Sequence, residues 1–185
     1  REMSKKAIYS EREKEERAMV VTTDMVNMTW VGANPNAEII SLDPTPDYYN
    51  YADGWNGINN VRAFRKLVYK NLYPAIDVEY TFHPQGGIKY ALTLHPGADL
   101  SQIKLQYDSK VSLEADGNVH IKTEFGDIID HAPTTFYASG SPIESRFVRS
   151  GKVVSFALSQ YDEWNQELKN NGVVVIKQIV SEEEV

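Results

Sequence analysis

Residues 76–94, IDVEYTFHPQGGIKYALTL, decide the fold class. Val78, Tyr80 and Phe82 alternate with Asp77, Glu79 and Thr81. Beyond HPQGG, Ile88, Tyr90, Leu92 and Leu94 alternate with Lys89, Ala91 and Thr93. A period of two is that of a strand with one buried face. Two such runs joined by Pro and Gly read as a β-hairpin. Both apolar rows must face one core, so even positions pair with even positions. Tyr80 opposite Leu92 and Phe82 opposite Tyr90 meets this condition. It places His95 opposite Asp77 and His83 opposite Lys89.

The same texture continues downstream. IKLQY alternates through Ile103, Leu105 and Tyr107, and VSLEADGNVHIKT is a second hairpin with Asp116-Gly117 as its turn. GDIID and TTFYAS are short strands, SRFVRSGKVVSFAL turns at Ser150-Gly151, and VVVIKQIV is a final strand after a short helix in YDEWNQELKNNG. Upstream, residues 61–73 fit a helix through Val61, Phe64, Val68 and Leu72, yet LVY favours a strand. Residues 33–60, rich in Pro, Asn, Gly and Asp, read as a long loop with a short strand at Glu38 to Leu42. MVVTTDMVNMTWVGAN reads as one or two strands. Strands spaced about ten residues apart with turn signals between them predict a mostly β chain, an antiparallel β-sandwich or two small β-subdomains. A charged helix or arm over residues 1–20 precedes the sandwich of 21–160; residues 161–185 hold the helix, the last strand and an acidic tail.

The chain has 185 residues, 42% of them hydrophobic, enough for a core without metal or disulfide staples. It has no Cys, which excludes disulfides, Cys-ligated zinc and thiol catalysis. Its net charge of −7 argues against nucleic acid as a partner. No run of about 18 apolar residues predicts a membrane span. The charged opening residues do not read as a signal peptide, and a start at Arg1 points to a processed chain or part of a longer one.

Candidate chemistry is sparse. The four histidines, His83, His95, His120 and His131, form no H-x-x-x-H pattern, so no metal and no cofactor are expected. Asp77 and Glu79 share a strand face and read as solvated carboxylates rather than a glycosidase pair. No P-loop, G-x-S-x-G or G-x-G-x-x-G occurs, and catalytic residues are not expected. The aromatic loop YYNYADGWNG is the best binding candidate: Tyr48, Tyr49, Tyr51 and Trp55 with Asn and Asp suit a sugar-stacking platform. The alternative is that these rings plug one end of the sandwich, and it is the favoured one.

The run LVYKNLYPAIDVEYTFHPQGGIKYALTLHPGADLSQIKLQY resembles the uncharacterised domain near the N-terminus of bacterial proteins carrying seven-bladed β-propeller repeats. Val68 to Asp77, Ile88 to Asp99 and Ile103 to Tyr107 match its successive motifs. WVGANPNAEI, NYADGWNG and EADGNVHIKTEFGDIIDHAPTTFY look like further segments, so the resemblance spans about 26–160. Ala75 stands where that family usually has Gly, and Ala138 where it often has Gln. Its usual opening strand is absent and its closing strand is poorly matched by VVVIKQIV. That implies a divergent or trimmed member whose sheet is completed by another chain. The resemblance implies an exported protein, often of Bacteroidota, at the cell surface or secreted, with adhesin-like or propeller neighbours. It supplies no catalytic residues, and Asp77, Pro96, Gly97 and Asp99 look structural. Two functions follow as expectations. One is a non-catalytic structural or interaction module, with protein partners in a surface assembly or neighbouring domains of a longer chain. The other is a carbohydrate-binding module using the aromatic loop.

Overall fold

The structure, a computed structural model, describes residues 22–51, 57–82, 87–159 and 174–182. The expected N-terminal helix or arm, the helix after Tyr161, Trp55 and His83 lie outside those residues. Fourteen strands are described. They are β1 (Met28–Trp30), β2 (Glu38–Tyr51), β3 (Ile58–Tyr73), β4 (Ile76–Phe82), β5 (Ile88–Leu94), β6 (Leu105–Tyr107) and β7 (Val111–Leu113), followed by β8 (Val119–Thr123), β9 (Gly126–Asp130), β10 (Thr134–Tyr137), β11 (Pro142–Ile143), β12 (Ser145–Ser150), β13 (Val153–Leu158) and β14 (Val174–Glu182). The small sheet runs β1-β6-β13-β12 and the large one β2-β3-β4-β5-β14-β9-β8-β7, with β10 and β11 joined to it through β14. Their pairings are antiparallel and the two sheets share one core, a sandwich as expected.

The central hairpin keeps the expected faces but not the expected pairing. Tyr80 lies opposite Tyr90, Val78 opposite Leu92 and Phe82 opposite Ile88, a slip of two from the sequence-based register. A slip of two conserves the inner and outer faces, so patterning alone does not distinguish the two registers. HPQGG is the whole connection. Val78, Leu92 and Leu94 are fully buried, together with Ile76, Val174 and Ile176 of neighbouring strands. The Asp116-Gly117 and Ser150-Gly151 hairpins form where expected.

Two corrections concern the upstream half. Residues 61–73 are strand, not helix, and β2 continues nine residues past Leu42 through a segment read as loop. Irregular backbone makes that continuation possible. Asp43 has φ +54, and residues 45–47 stand opposite Ala63 alone. Pro46 therefore falls in a bulge, where no ladder N–H is needed.

The closing strand also differs from expectation. β14 pairs with β5 along Val174–Val180, with β10 along Val174–Lys177 and with β9 along Val180–Glu182. VVVIKQIV is thus a central strand supplied by this chain itself.

One buried acid ties the sheets together. Asp130 of β9 is fully buried and accepts hydrogen bonds from the hydroxyls of Tyr90 on β5 (2.7 Å) and Tyr107 on β6 (3.1 Å). Its Oδ1 has no hydrogen-bond partner among the described residues. Burial pushes its carboxyl up to about 7, against the two donors, which lower it. Beside it, Trp30 packs edge-on against Tyr73 and Tyr90 and donates its indole N–H to Tyr80 (2.5 Å), anchoring β1 to the large sheet. Burial holds the Tyr80 hydroxyl at about 12.

Two predictions follow from this packing. Between about pH 4, where an unfolded Asp titrates, and about pH 7, the folded chain holds a proton on Asp130 that the unfolded chain has released. Stability attributable to Asp130 is therefore greatest at or below pH 4 and falls as pH rises to 7, by up to about 4 kcal/mol. Denaturant midpoints at pH 5 and pH 8 should differ in the native chain and converge in Asp130→Asn. Separately, truncation after residue 173 leaves β5, β9 and β10 with unpaired edges. The shortened chain should lose cooperative unfolding by circular dichroism, and a peptide of residues 173–185 added in trans should restore it.

Candidate interaction surface

The β2–β3 ribbon is the most exposed regular structure among the described residues. β4 pairs with β3 only as far as Lys66, so, among the described residues, 43–51 and 58–65 find ladder partners only in each other. At about 3.3 Å per residue this is an arm of roughly 25–30 Å. It carries large apolar side chains in solvent: Tyr48 is 52% exposed, Tyr49 48%, Tyr51 59% and Ile58 65%. Ile39 and Leu42 continue the exposure toward the body of the sheet, and the cross-strand pair Phe82 and Ile88 adds to it at the mouth of the next hairpin. Tyr48, Tyr49 and Tyr51 do not plug the sandwich, which corrects the favoured sequence reading for these three rings. The plug is Trp30, Tyr73, Tyr80 and Tyr90, drawn from other strands.

Adjacent residues of a strand point to opposite faces. Tyr48 pairs with Arg62 and Tyr49 with Val61, so their rings lie on opposite sides of the ribbon. Arg62 donates to the Tyr48 hydroxyl at 2.7 Å, and its guanidinium carbon sits 5.1 Å from the ring centre. That fixes one ring on the outer side. A single flat platform cannot include both tyrosines.

The carboxylates that sequence reading left to solvent are engaged. Asp77 is buried and accepts from the Lys70 ammonium, from the Asn71 backbone N–H (2.8 Å) and from His95 Nε2 (2.9 Å). His95 pairs with Ala75 through its backbone and reaches Asp77 diagonally, not directly across. Burial alone would raise the Asp77 carboxyl, but the Lys70, Asn71 and His95 donors outweigh it and hold it below the usual range. A second set of the same composition, missed in the sequence, joins Asp127 to Lys122 and to His120 Nδ1 (3.0 Å). The signal was present in HIKTEFGDIID: a tight turn at 124–125 places Lys122 opposite Asp127 and His120 two residues on. The Lys122 ammonium, with His120, holds the Asp127 carboxyl low against its burial.

An Asp that orients a His is half of a general-base device. Here the same carboxylate also closes the turn between β3 and β4. Asn71 and Ala75 both have positive φ, +49 and +59, and Asp77 grips the Asn71 N–H between them. Pro96 and Gly97 (φ +90) make the expected turn after β5, and Asp99 accepts from the Ser101 N–H at 2.9 Å. These four residues hold backbone, as expected. No group of three His, Cys, Asp or Glu among the described residues could hold a metal ion. No helix among them is long and apolar enough to cross a membrane.

Ala75 invites a direct test. Its left-handed backbone disfavours a Cβ by about 1–2 kcal/mol, which glycine relieves at some cost in unfolded-state entropy. Ala75→Gly should raise unfolding free energy by up to about 1 kcal/mol. Asp77→Ala should lower it by about 2–3 kcal/mol, because Lys70 and the Asn71 N–H lose a charged acceptor. Urea denaturation measures both.

No curated protein and no solved structure matches the chain. One family model does, over residues 1–168: Domain of unknown function (DUF7948). With that match covering most of its length, the chain belongs to this family of uncharacterised domains.

Proposed function

We propose that this domain is a non-catalytic structural and interaction module of a bacterial cell-surface or secreted protein or assembly. The observation that carries the reading is the β2–β3 ribbon, which holds Tyr48, Tyr49, Tyr51 and Ile58 largely in solvent and whose outer part pairs, among the described residues, only within itself. Large apolar side chains on a projecting edge are a liability unless a partner covers them. Arg62 beside Tyr48 adds an aromatic–Arg pair, the residue types that dominate interface energetics. Location at the cell surface, in Bacteroidota and beside propeller repeats, belongs to the same reading. Its support is the resemblance of the YPAID, LHPGAD and IKLQY segments to such domains.

The triple variant Tyr48→Ser, Tyr49→Ser, Tyr51→Ser should keep the native unfolding midpoint, since the three rings contribute little to the core. In cross-linking pull-downs from native cell envelopes it should lose the proteins that the unaltered chain captures. Capture that is equal for both chains would sink the ribbon as the interface.

A carbohydrate-binding role for the same residues keeps one supporting observation, the exposure of the rings. With Tyr48 and Tyr49 on opposite faces, only a subset of them can form a platform, with Trp55 as the remaining contributor. Glycan-array binding that disappears in Trp55→Ala, at unchanged thermal stability, would favour this second reading over the first.

A further inference from the structure

Two strand edges stand open at opposite ends of the sandwich. Among the described residues, β2 ends the large sheet and β12 ends the small one. The other two ends, β1 and β7, have three residues each and offer little backbone. β12 lies beside β7, the last strand of the large sheet, whereas β2 is the first. At about 4.8 Å per strand, the width of that sheet sets the two edges roughly 30–35 Å apart.

The usable lengths of the two edges match. Pro44 and Pro46 have no N–H to give, and proline on an edge strand blunts it. What remains of β2 next to the body is 38–43, the same length as β12. Both stretches carry apolar side chains into solvent, with Ile39 and Leu42 on one and Val148 on the other. Their charges are opposite. β2 holds Glu38, Asp43 and Asp47 and no base; β12 holds Arg146 and Arg149 and no acid. Neither Glu38 nor Arg146 forms an ion pair among the described residues. Asp43 reaches Arg65 only at 3.8 Å, between exposed side chains, and such a pair holds little energy. Arg149 gives one N–H to the Gly151 carbonyl at 2.8 Å, which leaves its other donors open.

These charges select among the ways two copies could meet. Two β2 edges would set acid against acid, and two β12 edges would set Arg against Arg; like charges across a strand pair oppose it. β2 against β12 is the complementary combination. In an antiparallel register with Asp43 opposite Arg146, Ser41 stands opposite Val148 and Glu38 is diagonal to Arg149, both within cross-strand reach.

We propose that β2 of one copy adds to β12 of a second copy, so that the large sheet of one molecule continues into the small sheet of the next. Each added copy presents a fresh edge at the far end, and the contact builds an open head-to-tail chain rather than a closed dimer. It uses the part of β2 next to the body and leaves Tyr48, Tyr49 and Tyr51 to another partner, so it does not depend on the ribbon's role.

Sedimentation velocity of the full chain over a concentration series tests the assembly. The salt is set at about 0.15 M, where a Debye length of about 8 Å screens the overall charge but not pairs in contact. Mean mass should rise with concentration past that of a dimer, and about 1 M salt should lower it. Glu38→Lys with Asp43→Lys, and separately Arg146→Glu with Arg149→Glu, should each remain monomeric with the native circular dichroism spectrum. An equimolar mixture of the two should associate again, because each reversed edge then meets an opposite charge. The chain has no Cys, so the register has its own readout. Ser41→Cys and Val148→Cys chains, mixed and oxidised, should form the mixed disulfide at least tenfold faster than either forms its own. Should a charge variant unfold, this disulfide measurement decides alone. The proposal fails if the native chain stays monomeric across the series, if its mass levels off at a dimer, if the mixture of folded variants does not associate, or if same-variant disulfides form as fast as mixed ones.

Discussion

The large sheet depends on its last strand. β5, β9 and β10 each present a row of backbone N–H and C=O groups toward the same gap, and β14 fills it from both sides. Buried backbone groups without partners are costly, so the sheet is incomplete until this strand docks. Val174 and Ile176 are fully buried there, extending the inner row begun by Leu92 and Leu94. Asp130 reaches its position in the core through the same docking, since it pairs with Val180. The family match ends at residue 168, before β14 begins, so the strand that completes the sheet lies beyond the matched region.

Buried acids are handled in two ways, set by which face of the sheet they occupy. On the inner face, Asp130 meets the hydroxyls of Tyr90 and Tyr107 among the described residues, and burial raises its carboxyl toward neutrality. On the outer face, Asp77 and Asp127 are each reached by one lysine and one histidine, whose chains keep contact with water, and these carboxyls stay ionised. Long cationic side chains can bridge from solvent to a half-buried acid, whereas the sandwich interior admits none. The two sets of groups therefore respond oppositely to pH. The outer acids stabilise the fold above their unfolded titration range and lose that contribution as pH falls, while Asp130 favours the protonated, more acidic side.

Strand pairing was partly legible. Hairpins around Asp116-Gly117 and Ser150-Gly151 follow from turn chemistry, because those residues tolerate the backbone a tight turn needs. The 76–94 hairpin was read with the right faces but a register two residues out. Side-chain periodicity has no term that separates those alternatives; the pairing to β3 and β14 does. The ribbon was missed for the opposite reason. Two prolines and several Asn and Asp signal loop locally, yet Asp43 in a left-handed conformation and a bulge around Pro46 absorb them and let β2 continue.

What the sequence by itself determined is the class of fold and the side of each strand that is buried, since alternation along a strand is a local property. It also marked Pro96-Gly97 as a turn and Asp99 as a partner for nearby backbone, whereas the strand pattern left Asp77 to solvent and only the family resemblance made it structural. Tertiary structure alone decided which strands are neighbours, and with that every feature that spans strands. The meeting of Asp130 with Tyr90 and Tyr107, the packing of Trp30 against Tyr73 and Tyr90, and the pairing of β14 with both β5 and β9 all join residues many positions apart. Such contacts arise from the order in which strands are laid side by side, and no local pattern encodes that order.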